Sequence, residues 1–357
     1  MKRMKAWEQY IREVVPYVPG EQPQGEDLIK LNTNENPYPP APGVQKAMAE
    51  MVKDYDRLRK YPDPTSAQLV RALADYHGLA ENQVFVGVGS DDVLAMAFLT
   101  FFNGDLPILF PDISYSFYPV WAGLFRISYR TPKLDQEFLI KKEDYYGENG
   151  GVIFPNPNAP TGVLMPLAEV EDILNHNRDV IVIVDEAYID YGGISADTLL
   201  SGYDNLLVVR TFSKSRSMAG LRIGYALGHE RLIKALNDVK YSYNSYTMNL
   251  PSLVLGRESL KDDDYFRAMI DKIIKTREWS KTRFRELGFS CPDSMANFLF
   301  VTHPQIRAEK LLQQLKEERI YVRHFKSSGL DNYLRVSIGT DEEMEQLFYV
   351  LETLVDS

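Results

Sequence analysis

Five consecutive apolar residues, Val180-Ile-Val-Ile-Val184, end on the carboxylate of Asp185. A strand with one wet face alternates apolar and polar positions. A strand apolar at every position is covered on both faces, as in a parallel sheet sandwiched by helices. From Val84 onward such runs alternate with helical patterns. Strands are expected at Val84–Val88, Leu106–Phe110, Val152–Phe154, Val180–Val184, Leu206–Thr211 and Ile223–Leu227. Helices are expected at Ser90–Phe102, Tyr115–Phe125 and Leu167–Asn175. This is the pattern of an α/β fold whose large unit is a mainly parallel α/β/α sandwich.

The flanks read differently. Residues 1–40 carry Pro16, Pro19, Pro23, Pro37, Pro39 and Pro40, which limit them to an extended arm after a short helix near Trp7–Val15. Helices are expected near Val44–Arg57 and at Ser66–His77, the second closed by Gly78. The large unit is assigned to residues 41–250 and a small α+β unit to 251–357. The small unit has a long helix near Asp264–Leu287 and strands near Phe298–Val301, Tyr321–Val322 and Tyr333–Ile338. Its last helix opens on Asp341-Glu-Glu, favourable at the positive end of a helix dipole.

Composition removes several classes of function. With 357 residues, 45% hydrophobic and 25% charged, the chain can bury a large core without crosslinks. Its single cysteine, Cys291, allows no internal disulfide and suits a reducing cytoplasm. A formal charge of −10 argues against general binding of nucleic acid or anionic membrane. The longest apolar run, Val93–Phe102, is too short to span a bilayer, and no apolar stretch follows the basic N-terminus as a signal peptide requires. The five histidines have no metal-ligand spacing.

Chemistry gathers where the apolar runs end. Asp185-Glu-Ala-Tyr188 follows one run, Thr211-Phe-Ser-Lys214 ends another, and Arg222 comes eight positions later. Ligands of open α/β sheets bind at such strand ends. Singly, these residues have plainer readings: a helix cap or metal ligand for Asp-Glu, a solvated loop for Ser-Lys. Jointly they suit a cofactor with a ring nitrogen, a phenolic oxygen, an aldehyde and a phosphate, namely pyridoxal 5'-phosphate. Lys214 would condense with the aldehyde and, once released, carry a proton. Asp185 would keep the ring nitrogen protonated, because a nearby opposite charge favours the charged form. Tyr188 would hydrogen-bond the phenolic oxygen, and Ser213 with Arg222 would hold the phosphate.

Further segments extend the site. Gly87-Val-Gly-Ser90-Asp-Asp joins a strand to a helix, where free amides favour phosphate. The simpler alternative is that Ser90 only caps the helix. A dinucleotide fingerprint fails at its third glycine, where Asp92 stands. Tyr115 could stack on a planar ring or belong to the core. The loop Pro155–Gly162 is stiffened by prolines and would leave Asn158 to aim its amide at a ligand. Arg323 and Arg335 stand on adjacent small-unit strands, as an anion clamp or as structural ion pairs.

Together these residues resemble the aspartate-aminotransferase-like superfamily of pyridoxal-phosphate enzymes. The branch they resemble is the histidinol-phosphate aminotransferases. The resemblance runs through Asn32-Thr-Asn-Glu-Asn36-Pro, Lys60-Tyr-Pro-Asp63, Gly89-Ser-Asp91, Pro157–Gly162, Asp185–Tyr188, Ser213-Lys214, Ala219-Gly-Leu-Arg222, Asn297-Phe298 and Leu334–Gly339. It implies the pyridoxal-phosphate transferase type I fold, and transamination of L-histidinol phosphate with 2-oxoglutarate in histidine biosynthesis. An aromatic-amino-acid aminotransferase and a phosphothreonine-type decarboxylase would share the cofactor residues. A pyridoxal-phosphate-dependent regulator would need a DNA-binding module for which no room is expected ahead of the arm. The resemblance further implies that Tyr115 stacks on the ring and that Ser90 and Asp91 join Ser213 and Arg222 around the phosphate. Arg335 would hold the substrate anion with Arg323 and Tyr17. Tyr61 would reach the site of the other subunit of a homodimer. One position departs: asparagine usually precedes Pro-Thr-Gly, and here it is Ala159. Either Asn158 substitutes, or Tyr188 alone serves the phenolic oxygen.

Overall fold

A computed structural model describes residues 6–25, 27–327 and 329–355. Met1–Lys5, on which the reading of the N-terminus partly rests, lie outside them. In chain order the first elements are β1 (Ile29–Leu31), α1 (Pro42–Lys53), α2 (Ala67–His77), β2 (Val84–Gly87), α3 (Gly89–Phe101), β3 (Ile108–Leu109), α4 (Tyr118–Phe125) and β4 (Tyr129–Arg130). Then come β5 (Val152–Pro155), α5 (Leu167–His176), β6 (Val182–Asp185), β7 (Leu206–Thr211), β8 (Gly224–Gly228), α6 (Glu230–Tyr243) and α7 (Leu250–Ser259). The last are α8 (Asp263–Glu286), β9 (Phe298–Val301), α9 (Ala308–Glu317), β10 (Ile320–His324), β11 (Leu334–Ser337) and α10 (Asp341–Val355).

Seven strands form one sheet in the order β2-β8-β7-β6-β5-β3-β4. All its pairings are parallel except those of β8, which runs against both β2 and β7. The doubly apolar runs split their side chains between two cores. Val182 and Val184 face one side with Val152, Phe154, Leu206 and Val208, against α2, α5 and α7. Ile183 faces the other with Ile153, Leu207 and Val209, against α3, α4 and α6. Each such buried side chain contributes roughly 1.5–3 kcal/mol relative to exposure. The mainly parallel α/β/α sandwich is therefore present, and its apolar strands are its middle layer.

A second sheet has the order β1-β10-β11-β9. Helices α8, α9 and α10 pack their apolar faces on it around Phe298, Leu311, Val336 and Phe348. The arm contributes β1, which pairs in parallel with β10. Helix starts follow local chemistry: the Asp262 side chain accepts from Tyr265 N at 3.3 Å to cap α8. Gly78 closes α2 in the left-handed conformation, φ +65°.

Some elements differ from expectation. The helix near Trp7–Val15 is only a 3-10 turn, Glu8–Tyr10, because none of its residues is buried and nothing holds a longer helix. The helix expected to Arg57 stops at Lys53 and continues as a 3-10 turn, Tyr55–Arg59. Of Leu106–Phe110 only Ile108 and Leu109 form strand.

Candidate active site

Parallel strands put their C-terminal ends on one edge, and the single reversed strand adds its beginning to that edge. Asp185 ends β6 beside Pro155 of β5. Thr211 ends β7 opposite Gly224, the first residue of β8, which also faces Gly87 at the end of β2. Ser213-Lys214, Arg222 and the start of α3 are thereby drawn together. The cleft they form is completed by Tyr17 and Asn32–Asn34 of the arm, and by Arg323 and Arg335 of the second sheet.

At the floor, Asp185 is 4% exposed. Tyr118 donates to its Oδ2 at 3.0 Å and the Ala187 amide to Oδ1 at 3.3 Å. Burial pushes its carboxyl up to about 7. Lys214 Nζ donates to the Thr33 carbonyl at 2.9 Å. Burial, then the Arg335 charge, pulls its amine down to about 8. Tyr188 packs edge-on against Phe298, ring centroids 5.0 Å apart, and its hydroxyl accepts from Asn34 Nδ2 at 3.0 Å. Burial raises the Tyr188 phenol, while the Arg335 charge and the Asn34 hydrogen bond oppose that rise.

One flank is a basic pocket. Arg222 reaches Ser213 Oγ at 3.5 Å and Asp91 Oδ2 at 3.3 Å, while Thr211 donates to Ser213 at 3.0 Å. Gly89 has φ +83°, and a Cβ there would lie 2.5 Å from Arg222 Nη2, so the guanidinium occupies space only glycine leaves. Ser90 is not the cap of α3. Val88 holds that position, and its amide donates to Asp92 Oδ2 at 2.9 Å. Tyr115 precedes α4 and donates to Asp91 Oδ1 at 2.7 Å. Burial, with Asp91 alongside, holds the Tyr115 phenol well above its ordinary range.

The opposite flank is cationic and aromatic. Arg323 and Arg335 are register partners across β10 and β11. Arg335 donates Nη2 to the Asn32 carbonyl at 3.1 Å, while its buried Nε has no hydrogen-bond partner among the described residues. Arg323 reaches the Val18 carbonyl at 3.3 Å. The Tyr17 ring stacks on Phe117 at 4.2 Å and leans on Tyr115 at 6.5 Å.

Eleven sequence-derived candidates line this cleft: Tyr17, Ser90, Asp91, Tyr115, Asp185, Tyr188, Ser213, Lys214, Arg222, Arg323 and Arg335. Asn158 does not. Its amide donates to Thr161 Oγ1 within the loop and to Ile113 O ahead of α4, each at 3.0 Å, and Ala159 meets the cleft instead. Tyr61 is 82% exposed, against Tyr246 at 4.6 Å, away from the cleft of its own chain. Sequence reasoning passed over Thr33, Asn34, Thr211 and Tyr118. The run Asn32–Asn36 held a signal, since three asparagines in five residues of an arm are more polar groups than a plain linker needs.

The sequence matches the family described as aminotransferase class I and II over residues 26–351. It is 50% identical over 349 residues to histidinol-phosphate aminotransferase 1 of Hydrogenovibrio crunogenus, covering 98% of each chain. It is 48% identical over 341 residues to the histidinol-phosphate aminotransferase of Clostridium botulinum strain Okra, covering 96% of each. Its fold is similar to the histidinol-phosphate aminotransferase of Sinorhizobium meliloti solved with pyridoxal-5'-phosphate: TM-score 0.84, 23% identity, 92% of this chain and 91% of that one.

Proposed function

The chain belongs to the class I and II aminotransferases, and we propose that it moves an amino group between L-histidinol phosphate and 2-oxoglutarate. The products would be imidazole acetol phosphate and glutamate, in histidine biosynthesis. The observation that carries this reading is one cleft holding a lysine amine lowered to about 8, a buried carboxylate and two register-paired arginines. The choice of substrate rests on relatives named for histidinol phosphate that are about half identical over nearly the whole chain. No comparable support favours the aromatic or decarboxylase alternatives.

The residues present fit pyridoxal 5'-phosphate. Asp185 makes no ion pair among the described residues, although burial makes its charged form costly, so a protonated ring nitrogen would complete it. The Arg222 guanidinium seated against Gly89, with Ser213 and the first amides of α3, suits a phosphate. Pyridoxal phosphate, when bound, supplies an aldehyde for amine exchange and a ring that accepts the electron pair released at the substrate carbon.

The chain's own residues supply the rest. Tyr188 would donate its phenolic proton to the ring oxygen, and Tyr115 would cover the ring face. Asp91 pairs with Arg222, and Ser90 and Asp91 would offer backbone amides to the phosphate. Lys214 would carry the proton lost and regained at the amine-bearing carbon. With a pKa near 8, roughly one-tenth of it is neutral at pH 7, far more than of an ordinary lysine. Arg335, Arg323 and Tyr17 hold the substrate's anionic group and fix which carbon faces Lys214.

The proposal includes an arm to residue 40, a large unit 41–250 and a small unit 251–357. The seven-stranded sheet lies wholly in the second range, and all of the four-stranded sheet but β1 in the third. It also includes a homodimer. Tyr61, Tyr55, Leu58 and Tyr243 are 82%, 74%, 63% and 75% exposed, an apolar and aromatic surface suited to a second copy. No helix among the described residues is long and apolar enough to cross a membrane. The single thiol of Cys291 suits a reducing compartment, and we propose a cytoplasmic location.

The test is a substrate panel on the protein loaded with pyridoxal phosphate. Histidinol phosphate with 2-oxoglutarate should yield glutamate at the highest kcat/KM. A higher kcat/KM for phenylalanine, or carbon dioxide released from phosphothreonine, would overturn the assignment.

A further inference from the structure

We propose that Asn34, an arm residue, is the positioning residue that aims the Tyr188 proton into the cleft. This rests on the reading of the cleft as a pyridoxal-phosphate site. Asn34 is 1% exposed and sits in the left-handed conformation, φ +57°, which a short polar side chain tolerates. Its backbone is held at both ends. The amide donates to Ser337 Oγ at 2.8 Å, and the carbonyl accepts from Asn297 Nδ2 at 3.0 Å.

Of the two orientations of the Asn34 amide, one gives the buried Ser337 proton an acceptor among the described residues. Ser337 Oγ accepts from the Asn34 amide, so its single proton is available to Asn34 Oδ1, 3.0 Å away. With Oδ1 turned to Ser337, Nδ2 must face Tyr188, and it lies 3.0 Å from the hydroxyl. Nδ2 can only donate, so the Tyr188 oxygen accepts and its own proton points elsewhere. The open direction is the cleft. A phenol that accepts one hydrogen bond is also a stronger donor in the next.

A second lining residue makes this arrangement matter. Ala159 presents a methyl group, and the Asn158 amide donates to the Ile113 carbonyl and to Thr161 Oγ1. Among the described residues, the ring oxygen of a bound cofactor is left to Tyr188, and Tyr188 takes its orientation from Asn34. Asn34 does not touch the reacting atoms and acts through the phenol.

The test is the pH dependence of the visible absorbance of bound pyridoxal phosphate. A hydrogen bond to that oxygen favours its ionised form, so weakening the donor raises the spectral midpoint. Asn34→Ala should raise it by roughly half to one pH unit, the equivalent of one ordinary hydrogen bond. Asn34→Asp, nearly isosteric and able to preserve the fold, sets an acceptor against Tyr188 and should raise the midpoint at least as far. In a Tyr188→Phe background, Asn34→Ala should add nothing, because its route is gone. An unmoved midpoint in both single variants, or the same shift in the Tyr188→Phe background as with the tyrosine in place, overturns the inference. A wild-type protein that gains no visible band with pyridoxal phosphate overturns the cofactor reading and this inference together.

Discussion

Lys214 and Asp185 are held against their ordinary charge states, and both can be titrated in the cofactor-free protein. Reaction of Lys214 with an amine-directed reagent, followed by peptide mass spectrometry, should rise with a midpoint near 8. Arg335→Ala removes the second cause of that depression, so the midpoint should move upward. The sign for Asp185 is the reverse of the usual carboxylate. Folding raises its pKa from 3.8 to about 7, so its contribution to stability is present in acid and is lost as pH climbs through that window. Asp185→Asn should flatten that fall, measured as melting temperature against pH, while turnover collapses. The substrate side has its own test. Arg335→Ala should weaken histidinol phosphate more than histidinol by roughly 10- to 150-fold, the value of a hydrogen bond to a charged group. Equal losses for the two substrates would make Arg335 structural.

At the scale of elements, the turn from β2 into α3 is the most constrained, because Gly89 and Arg222 compete for the same space. Gly89→Ala would meet Arg222 at 2.5 Å in a backbone conformation that disfavours a side chain. Equilibrium titration should find pyridoxal phosphate bound roughly tenfold or more weakly, the loss of one charged hydrogen bond. Unchanged affinity would remove Arg222 from the phosphate pocket. Elements with strong, uniform burial could be read from sequence alone: Leu206–Thr211 and Phe298–Val301 have the bounds expected of them. Elements whose existence depends on distant partners could not. The apolar residues of Trp7–Val15 have no core to bury them, and β1 exists because β10, nearly 300 residues later in the chain, lies beside it. The same reason hid Asn34, whose side-chain partners lie 154 and 303 positions away. Asn158 misled for the opposite reason: its nearest partner, Thr161, is local and takes the amide that the cleft was expected to receive.

For the whole molecule, the prediction is that one chain does not suffice. Tyr61 sits in a Pro-bounded turn, exposed and remote from the cleft of its own chain, as a residue serving a second copy would be. Mixing Lys214→Ala with Tyr61→Ala protein should give hybrid dimers in which one site has both residues intact. Activity should then exceed that of either parent, and verified hybrids without recovery would keep Tyr61 within its own subunit. The arm has a different consequence, for the order of synthesis. Asn32 and Asn34 meet Arg335 and Ser337, all at separations of 303 residues. A nascent chain that has completed the seven-stranded sheet at Gly228 already carries Asp185, Lys214 and Arg222, but nothing yet anchors the arm across them. Lys214 is thus made early, while its cleft closes only after Ser337 is made. A product broken off before that point has the reactive amine without the frame that directs it.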